Sequence, residues 1–184
     1  MILIVDMNQK KDSLALAEFV LPIASIVGGT AGYEVRHHTE VDRETADRYE
    51  KVILSGTPLK DNAYMDHIEG FGWIRDAGIP VLGICAGMQV IGMVFGSFLV
   101  ECREIGMTRI ETTGENPFFS GTFEAYELHS YSVEPSGDFE VIARSENCVQ
   151  GIKHKGREVY GLLFHPEVRN KEIVERFVRA KRGR

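Results

Sequence analysis

The sequence predicts an α/β fold: a doubly wound, mainly parallel sheet flanked by helices, with an additional antiparallel β portion in the C-terminal half. Three observations lead there. Through the first half, short apolar runs alternate with stretches of helical spacing, the pattern of a parallel sheet covered by helices. One run, "IPVLGI", is continuously apolar, as a strand buried on both faces must be. From about Phe98 the texture changes to short runs separated by turns such as "PSGD" and "HKGR", which read as antiparallel strands and hairpins.

Taken in order, "MILIVD" is the first strand. "LALAEFVLPIASIV" has mostly helical spacing, with Pro22 as a break. "YEVRHH" is a second strand, and "KVILS" (Lys51 to Ser55) a third that ends at the turn residues "GTP". "AYMDHIEGFGWIRDAG" reads as a helix interrupted by Gly70 and Gly72. After "IPVLGI", Met88, Ile91 and Phe95 share one helix face. The second half supplies "FLVECREIGMTRIE", "TFEAYELHSYSVE", "FEVIARSE", "VQGIKHKG" and "REVYGLLF" as strands. A last helix spans about Asn170 to Arg182.

Composition narrows the class. A chain of 184 residues, 43% hydrophobic and 26% charged, reads as one globular domain, 1–184. A net charge of −6 gives no basic stripe for nucleic acid. The basic tail "RFVRAKRGR" reads as a solvated helix end. No apolar stretch reaches the length of a membrane span, and the amino terminus lacks the features of a signal peptide. Three cysteines without CxxC spacing argue against a disulfide framework and a zinc site. The expectation is a cytoplasmic protein with reduced thiols, no metal, no membrane and no nucleic acid.

Chemistry concentrates at Gly83-Ile84-Cys85-Ala86-Gly87, which has the spacing G-x-nucleophile-x-G. In such an elbow the nucleophile sits on a strained strand-to-helix turn, and small neighbours let the backbones pack closely. The helix N-terminus favours a thiolate, and its free N–H groups can hold an oxyanion. Spacing alone leaves open a buried structural cysteine. "GLLFHPEV" offers a proton partner: a strand-like run delivers His165 and Glu167 just past its end, where Pro166 turns the chain. A carboxylate on one imidazole nitrogen fixes the tautomer and leaves the other nitrogen for the thiol. His37, His38, His67 and His154 have no comparable setting and read as surface or satisfied residues.

"GICAGMQ" followed by "FHPE", with "ILIVD", "VILSGTP" and "ELHSYSV", resembles the class I (triad) glutamine amidotransferases over nearly the whole chain. The resemblance implies Cys85 as nucleophile, His165 as general base and acid, and Glu167 as its orienting carboxylate. It implies that Gln89 helps hold glutamine. His129, Ser130 and Tyr131 would meet the substrate's α-amino and α-carboxylate groups, largely through backbone atoms. The oxyanion hole would use the N–H groups of Thr57 and Ala86. No cofactor is implied on this chain.

Two positions depart from the family pattern. Thr57 stands where many members have glycine, so a peptide flipped to positive φ there meets a steric cost. Ala86 replaces a bulkier residue and opens the pocket. Within the family, "GICAGMQVIGMVFGSFLVECREIGMTRIE", "NPFFSG" and the C-terminal run are most similar to the glutaminase part of GMP synthetases. The chain lacks the Ser-Gly-Gly-x-Asp-Ser pyrophosphatase loop and any GxxxxGK[ST] loop. ATP and magnesium are therefore expected on a separate synthetase subunit, in a heterodimer that converts XMP to GMP. The alternatives are the glutaminase subunit of anthranilate or aminodeoxychorismate synthase, a γ-glutamyl hydrolase, and a catalytically silent regulatory homologue. Met88 fits the anthranilate pattern poorly, because a histidine is expected there.

Overall fold

The computed structural model describes residues 1–181. Nine strands are present among them: β1 (Ile2–Asp6), β2 (Tyr33–His37), β3 (Lys51–Leu54), β4 (Val81–Ile84), β5 (Phe98–Thr112), β6 (Thr122–Glu134), β7 (Phe139–Arg144), β8 (Val149–His154) and β9 (Val159–Leu162). They form one sheet in the order β2-β1-β3-β4-β9-β8-β7-β5-β6. The pairings from β2 to β9 are parallel, and those from β9 to β6 are antiparallel. The α/β class and its antiparallel extension are thus as the sequence predicts.

Burial explains the texture of the first half. Every residue of β1, β3, β4 and β9 is buried, so these strands are apolar on both faces. Their side chains still alternate. Leu3, Val5, Val52, Leu54 and Val81 pack to one side with α5 (Ala86–Val94). Ile2, Ile4, Ile53, Leu82 and Ile84 pack to the other, with α2 (Leu21–Gly28) and α6 (Lys171–Arg179). Two cores therefore sandwich the parallel half of the sheet. The long β5–β6 ribbon extends past it and leaves Phe98, Ile105 and Met107 exposed.

Some elements differ from the expectation. The first helical stretch is two helices, α1 (Ala15–Phe19) and α2, with Pro22 in the first turn of the second. There its missing N–H costs nothing, so proline starts a helix here instead of interrupting one. The stretch read as one helix after Ala63 is a 3₁₀ segment, Ala63–Phe71, kinked at His67, and then α4 (Trp73–Asp76). The change of path falls at Gly72, after Gly70, where glycine holds the α-helix least firmly. A short α3 (Arg43–Ala46), capped by Asp42, and a 3₁₀ turn at His38–Glu40 carry too few residues to show periodicity. The last helix begins as expected, but Arg182 and the end of the basic tail lie outside the described residues. His37 and His38 are buried, not on the surface. His37 is satisfied by the Asn8 carbonyl and the Thr39 hydroxyl.

Candidate active site

The end of β4 delivers the elbow. Cys85 has φ 50° and ψ −105°, one of two non-glycine residues with positive φ among those described. Such a conformation costs on the order of 1–3 kcal/mol and persists because its surroundings fix it. Those surroundings are close. A Cβ on Gly83 would lie 2.4 Å from the Gly87 carbonyl carbon, and one on Gly87 2.7 Å from the Leu54 oxygen. Only glycine at both positions lets α5 leave the sheet so abruptly. The Cys85 amide donates to the Leu162 carbonyl at 2.8 Å, which ties the elbow to the neighbouring β9.

The same strand, β9, runs on to His165 and Glu167. Pairing of β4 with β9 (Ile84 opposite Leu162) is what places thiol and imidazole on one side of the sheet's end. His165 Nδ1 lies 2.7 Å from Glu167 Oε1, a length typical of a charge-assisted bond. Its amide is held by the Tyr126 carbonyl at 2.8 Å, and both side chains are almost fully buried. Burial alone would lower the His165 pKa, but the charges of Glu167 and Cys85 outweigh it and hold it well above its ordinary value. The Cys85 thiol donates to the Leu128 carbonyl at 3.6 Å, and His165 Nε2 has no hydrogen-bond partner. A rotation of the thiol toward that nitrogen would complete the relay.

Around Cys85 lies a narrow cleft lined by Thr57, Pro58, Tyr64, Gln89, Ser130 and Tyr131, among others. It is narrow enough to admit little more than a single water at its centre. A larger, open depression of about 700 Å³ along Thr112–Ser120 and Lys153 contains none of these groups. We assign the chemistry to the small cleft because Cys85 lines it, with His165 packed next to Cys85 around Gly56. Gln89 is already engaged: its Nε2 donates to the Tyr131 carbonyl at 2.8 Å, and its Oε1 accepts from the Tyr64 hydroxyl. Thr57 keeps a negative φ, and its hydroxyl donates to the Asp61 carbonyl at 2.9 Å. Ala86 is buried at the start of α5.

The expected residues therefore meet at one place, with one distinction. His129, Ser130 and Tyr131 all line the cleft, but the ring of His129 is committed to other partners. Its Nδ1 donates to the Cys102 carbonyl at 2.9 Å, and its Nε2 faces Glu104 and Glu127. Burial would lower the His129 pKa, but these carboxylates raise it to about 10. Burial likewise opposes ionisation of Glu104, yet bonds from His129, Asn147, Ser145 and Cys148 lower it to about 2. Glu127 is pushed up by burial. Sequence reasoning missed Tyr64, Glu104 and Glu127. The alternation "ELH" in a strand was a signal that Glu127 and His129 share a face.

Comparison with known proteins agrees with this architecture. The model of the family "Glutamine amidotransferase class-I" matches residues 26–181. The chain is 31% identical over 151 residues to a subunit of the glutamine-hydrolyzing GMP synthase of Thermoplasma acidophilum, covering 76% of each protein. It is 33% identical over 146 residues to the corresponding GMP synthase subunit of Pyrococcus furiosus, covering 73% of this chain and 74% of that one. The crystal structure of a candidate GMP synthase subunit from Thermoplasma acidophilum superposes with a TM-score of 0.83 at 25% identity. That match covers 97% of this chain and 92% of the other. No helix among the described residues is long and apolar enough to cross a membrane. On these grounds the chain belongs to the class I glutamine amidotransferases.

Proposed function

We propose that this chain hydrolyses glutamine with Cys85, His165 and Glu167 and passes the ammonia to a separate ATP-dependent synthetase, for conversion of XMP to GMP. The observation that carries the reading is the strained Cys85 elbow set beside a buried His165–Glu167 pair at 2.7 Å. The similarity to subunits of glutamine-hydrolyzing GMP synthases supports the choice of acceptor.

The steps follow from the groups present. Cys85 gives its proton to His165 Nε2, and its sulfur attacks the side-chain amide carbon of glutamine. The N–H groups of Ala86 and Thr57 stabilise the tetrahedral oxyanion, a contribution of about 10² to 10³ in rate for each donor. His165 returns the proton to the departing nitrogen, and ammonia leaves as the C–N bond breaks. Water, deprotonated by the same imidazole, then hydrolyses the γ-glutamyl thioester to glutamate and restores the thiol. Glu167 keeps Nδ1 protonated throughout and stabilises the imidazolium. ATP and magnesium belong to the partner in this reading, and the chain itself supplies no nucleotide loop.

The state of the cleft favours control by that partner. Gln89, expected to help hold glutamine, is occupied by Tyr64 and Tyr131. Docking of a nucleotide-loaded synthetase would open the cleft and turn the Thr57 peptide toward the oxyanion. Steady-state glutaminase kinetics with and without synthetase, ATP, magnesium and XMP tests this. The isolated chain should be slow, the complex should have a raised kcat, and Thr57→Gly should raise the basal rate. An isolated wild-type chain that matches the complex in rate would refute the gating. Glutamine-dependent product from chorismate, with none from XMP, would favour the anthranilate-type alternative.

A further inference from the structure

We propose that Glu104, Glu127, His129 and Gln150 form a binding site for one divalent first-row metal ion, zinc fitting best, with the thiols of Cys148 and Cys102 beside it. The four side chains come from three strands: Glu104 from β5, Glu127 and His129 from β6, Gln150 from β8. Glu104 lies directly opposite His129 in the β5–β6 pairing, and Glu127 is two residues along the same face. All four are buried, with exposures of 6%, 0%, 2% and 0%.

Glu104 already accepts from Gln150, Asn147, Ser145 and Cys148, but the contacts of His129 with both carboxylates have the spacing of a shared cation. His129 Nε2 is 3.3 Å from Glu104 Oε2 and 3.2 Å from Glu127 Oε2. A charge-assisted N–H to carboxylate bond is about 2.7–2.9 Å, the length seen between His165 and Glu167. Two ligand atoms about 2.0–2.1 Å from a tetrahedral zinc are about 3.3–3.4 Å apart, which is the spacing here. Neither oxygen of Glu127 has a hydrogen-bond partner although the residue is fully buried, and Gln150 Oε1 has none either. These buried acceptors, faced on one side only by the His129 ring, are the independent sign of a further ligand partner. Gln150 Nε2 already lies 2.6 Å from Glu104 Oε2 and 3.5 Å from His129 Nε2. For Gln150 to bind the ion, the amide must turn over and its unpartnered oxygen draw back from Glu104, because 2.6 Å is shorter than the spacing of two zinc ligands.

The surroundings match a bound zinc. A ligating histidine typically donates its other ring N–H to a backbone carbonyl. His129 Nδ1 does so to Cys102, whose position follows a register shift between Glu101 and Glu104. Cys102, Glu104 and Cys148 offer atoms within 4.8 Å of one another, as do Glu104, Glu127 and His129, so Glu104 joins the two groups. Cys102 and Cys148 are partly exposed and give the ion a route inward. Imidazole with adjacent thiols favours zinc over magnesium or calcium. Bound there, the ion would tie together β5, β6 and β8 behind Leu128, whose carbonyl holds the Cys85 thiol.

The test uses the full chain carrying Cys85→Ala, so that the reactive thiol cannot bind metal. Chelator-treated protein is titrated with zinc chloride against a chromophoric zinc chelator, with thermal unfolding followed in parallel. The proposal expects one ion per chain, micromolar or tighter affinity and a Tm raised by several degrees. Glu127→Gln and His129→Asn should each weaken binding at least 100-fold, whereas Cys102→Ser with Cys148→Ser should weaken it less than 10-fold. X-ray absorption of the zinc-loaded protein provides a reading that does not depend on the folding of a variant. A first shell of mainly nitrogen and oxygen at about 2.0 Å supports the site. No stoichiometric binding, a shell with two or more sulfurs, or unchanged affinity in Glu127→Gln and His129→Asn would overturn it.

Discussion

At the scale of single residues, the catalytic reading depends on how environment divides the histidines. His165 and His129 are both buried beside carboxylates, but the His129 ring is held by the Cys102 carbonyl, Glu104 and Glu127, whereas His165 pairs with Glu167 alone. The ring orientation, set by strand pairing, is what separates them, and no local pattern in "LHSYS" reveals it. By contrast, the strained elbow at Cys85 was legible, since two glycines flanking a cysteine at a strand end have a specific backbone meaning. Glu167 allows a graded test. Glu167→Gln keeps the shape but removes the charge that stabilises the imidazolium, so kcat should fall by about 10² to 10⁴. Glutamine KM should change little. Steady-state kinetics of the assembled complex reads both, and a shift confined to KM would make Glu167 a binding residue instead.

At the scale of elements, periodicity found the buried strands and the elbow helix, because long apolar signals survive tertiary context. It failed over Ala63–Phe71, where turns of 3₁₀ geometry replace the expected helix and place Tyr64 against Gln89. It also could not show how α6 is held. Lys51, at the start of β3, is buried and donates to the carbonyls of Phe177, Val178 and Ala180 at 2.5, 2.9 and 2.5 Å. One ammonium thus satisfies the carbonyls at the end of a helix more than 120 residues away in sequence. In the sequence, this lysine reads only as a polar strand end. Replacing it with Met would retain the stem and strand the carbonyls, a loss of about 2–4 kcal/mol. Urea unfolding of Lys51→Met against wild type measures this, and an unchanged midpoint would show that water replaces the ammonium without cost.

At the scale of the whole molecule, one sheet carries two functions in its two halves. The parallel half presents the elbow at its carboxyl end, and the antiparallel half supplies the strand that walls the cleft. Sequence texture separated these halves at Phe98 but could not show that they form a continuous sheet through β9 and β8. The turn after β2 predicts how stability depends on pH. Burial, with His37 and His67 nearby, lowers the His38 pKa to about 4, and Asp61 opposes this only in part. The folded value lies below the unfolded one, so the contribution is complete above about pH 6.5 and is lost as pH falls toward 4. His38→Phe, which keeps the stacking on Phe71, should flatten that slope by on the order of 2–3 kcal/mol between pH 7 and 4.5. Equal slopes in urea unfolding would contradict it. The central claim, that ammonia is made at Cys85 and used elsewhere, has a more direct measurement. Cys85→Ala is assembled with the synthetase, and product is assayed first with glutamine and then with ammonium salt as nitrogen source. The account predicts no glutamine-dependent product and no glutamate, with the ammonia-dependent rate unchanged; glutamate formation persisting in Cys85→Ala would contradict it.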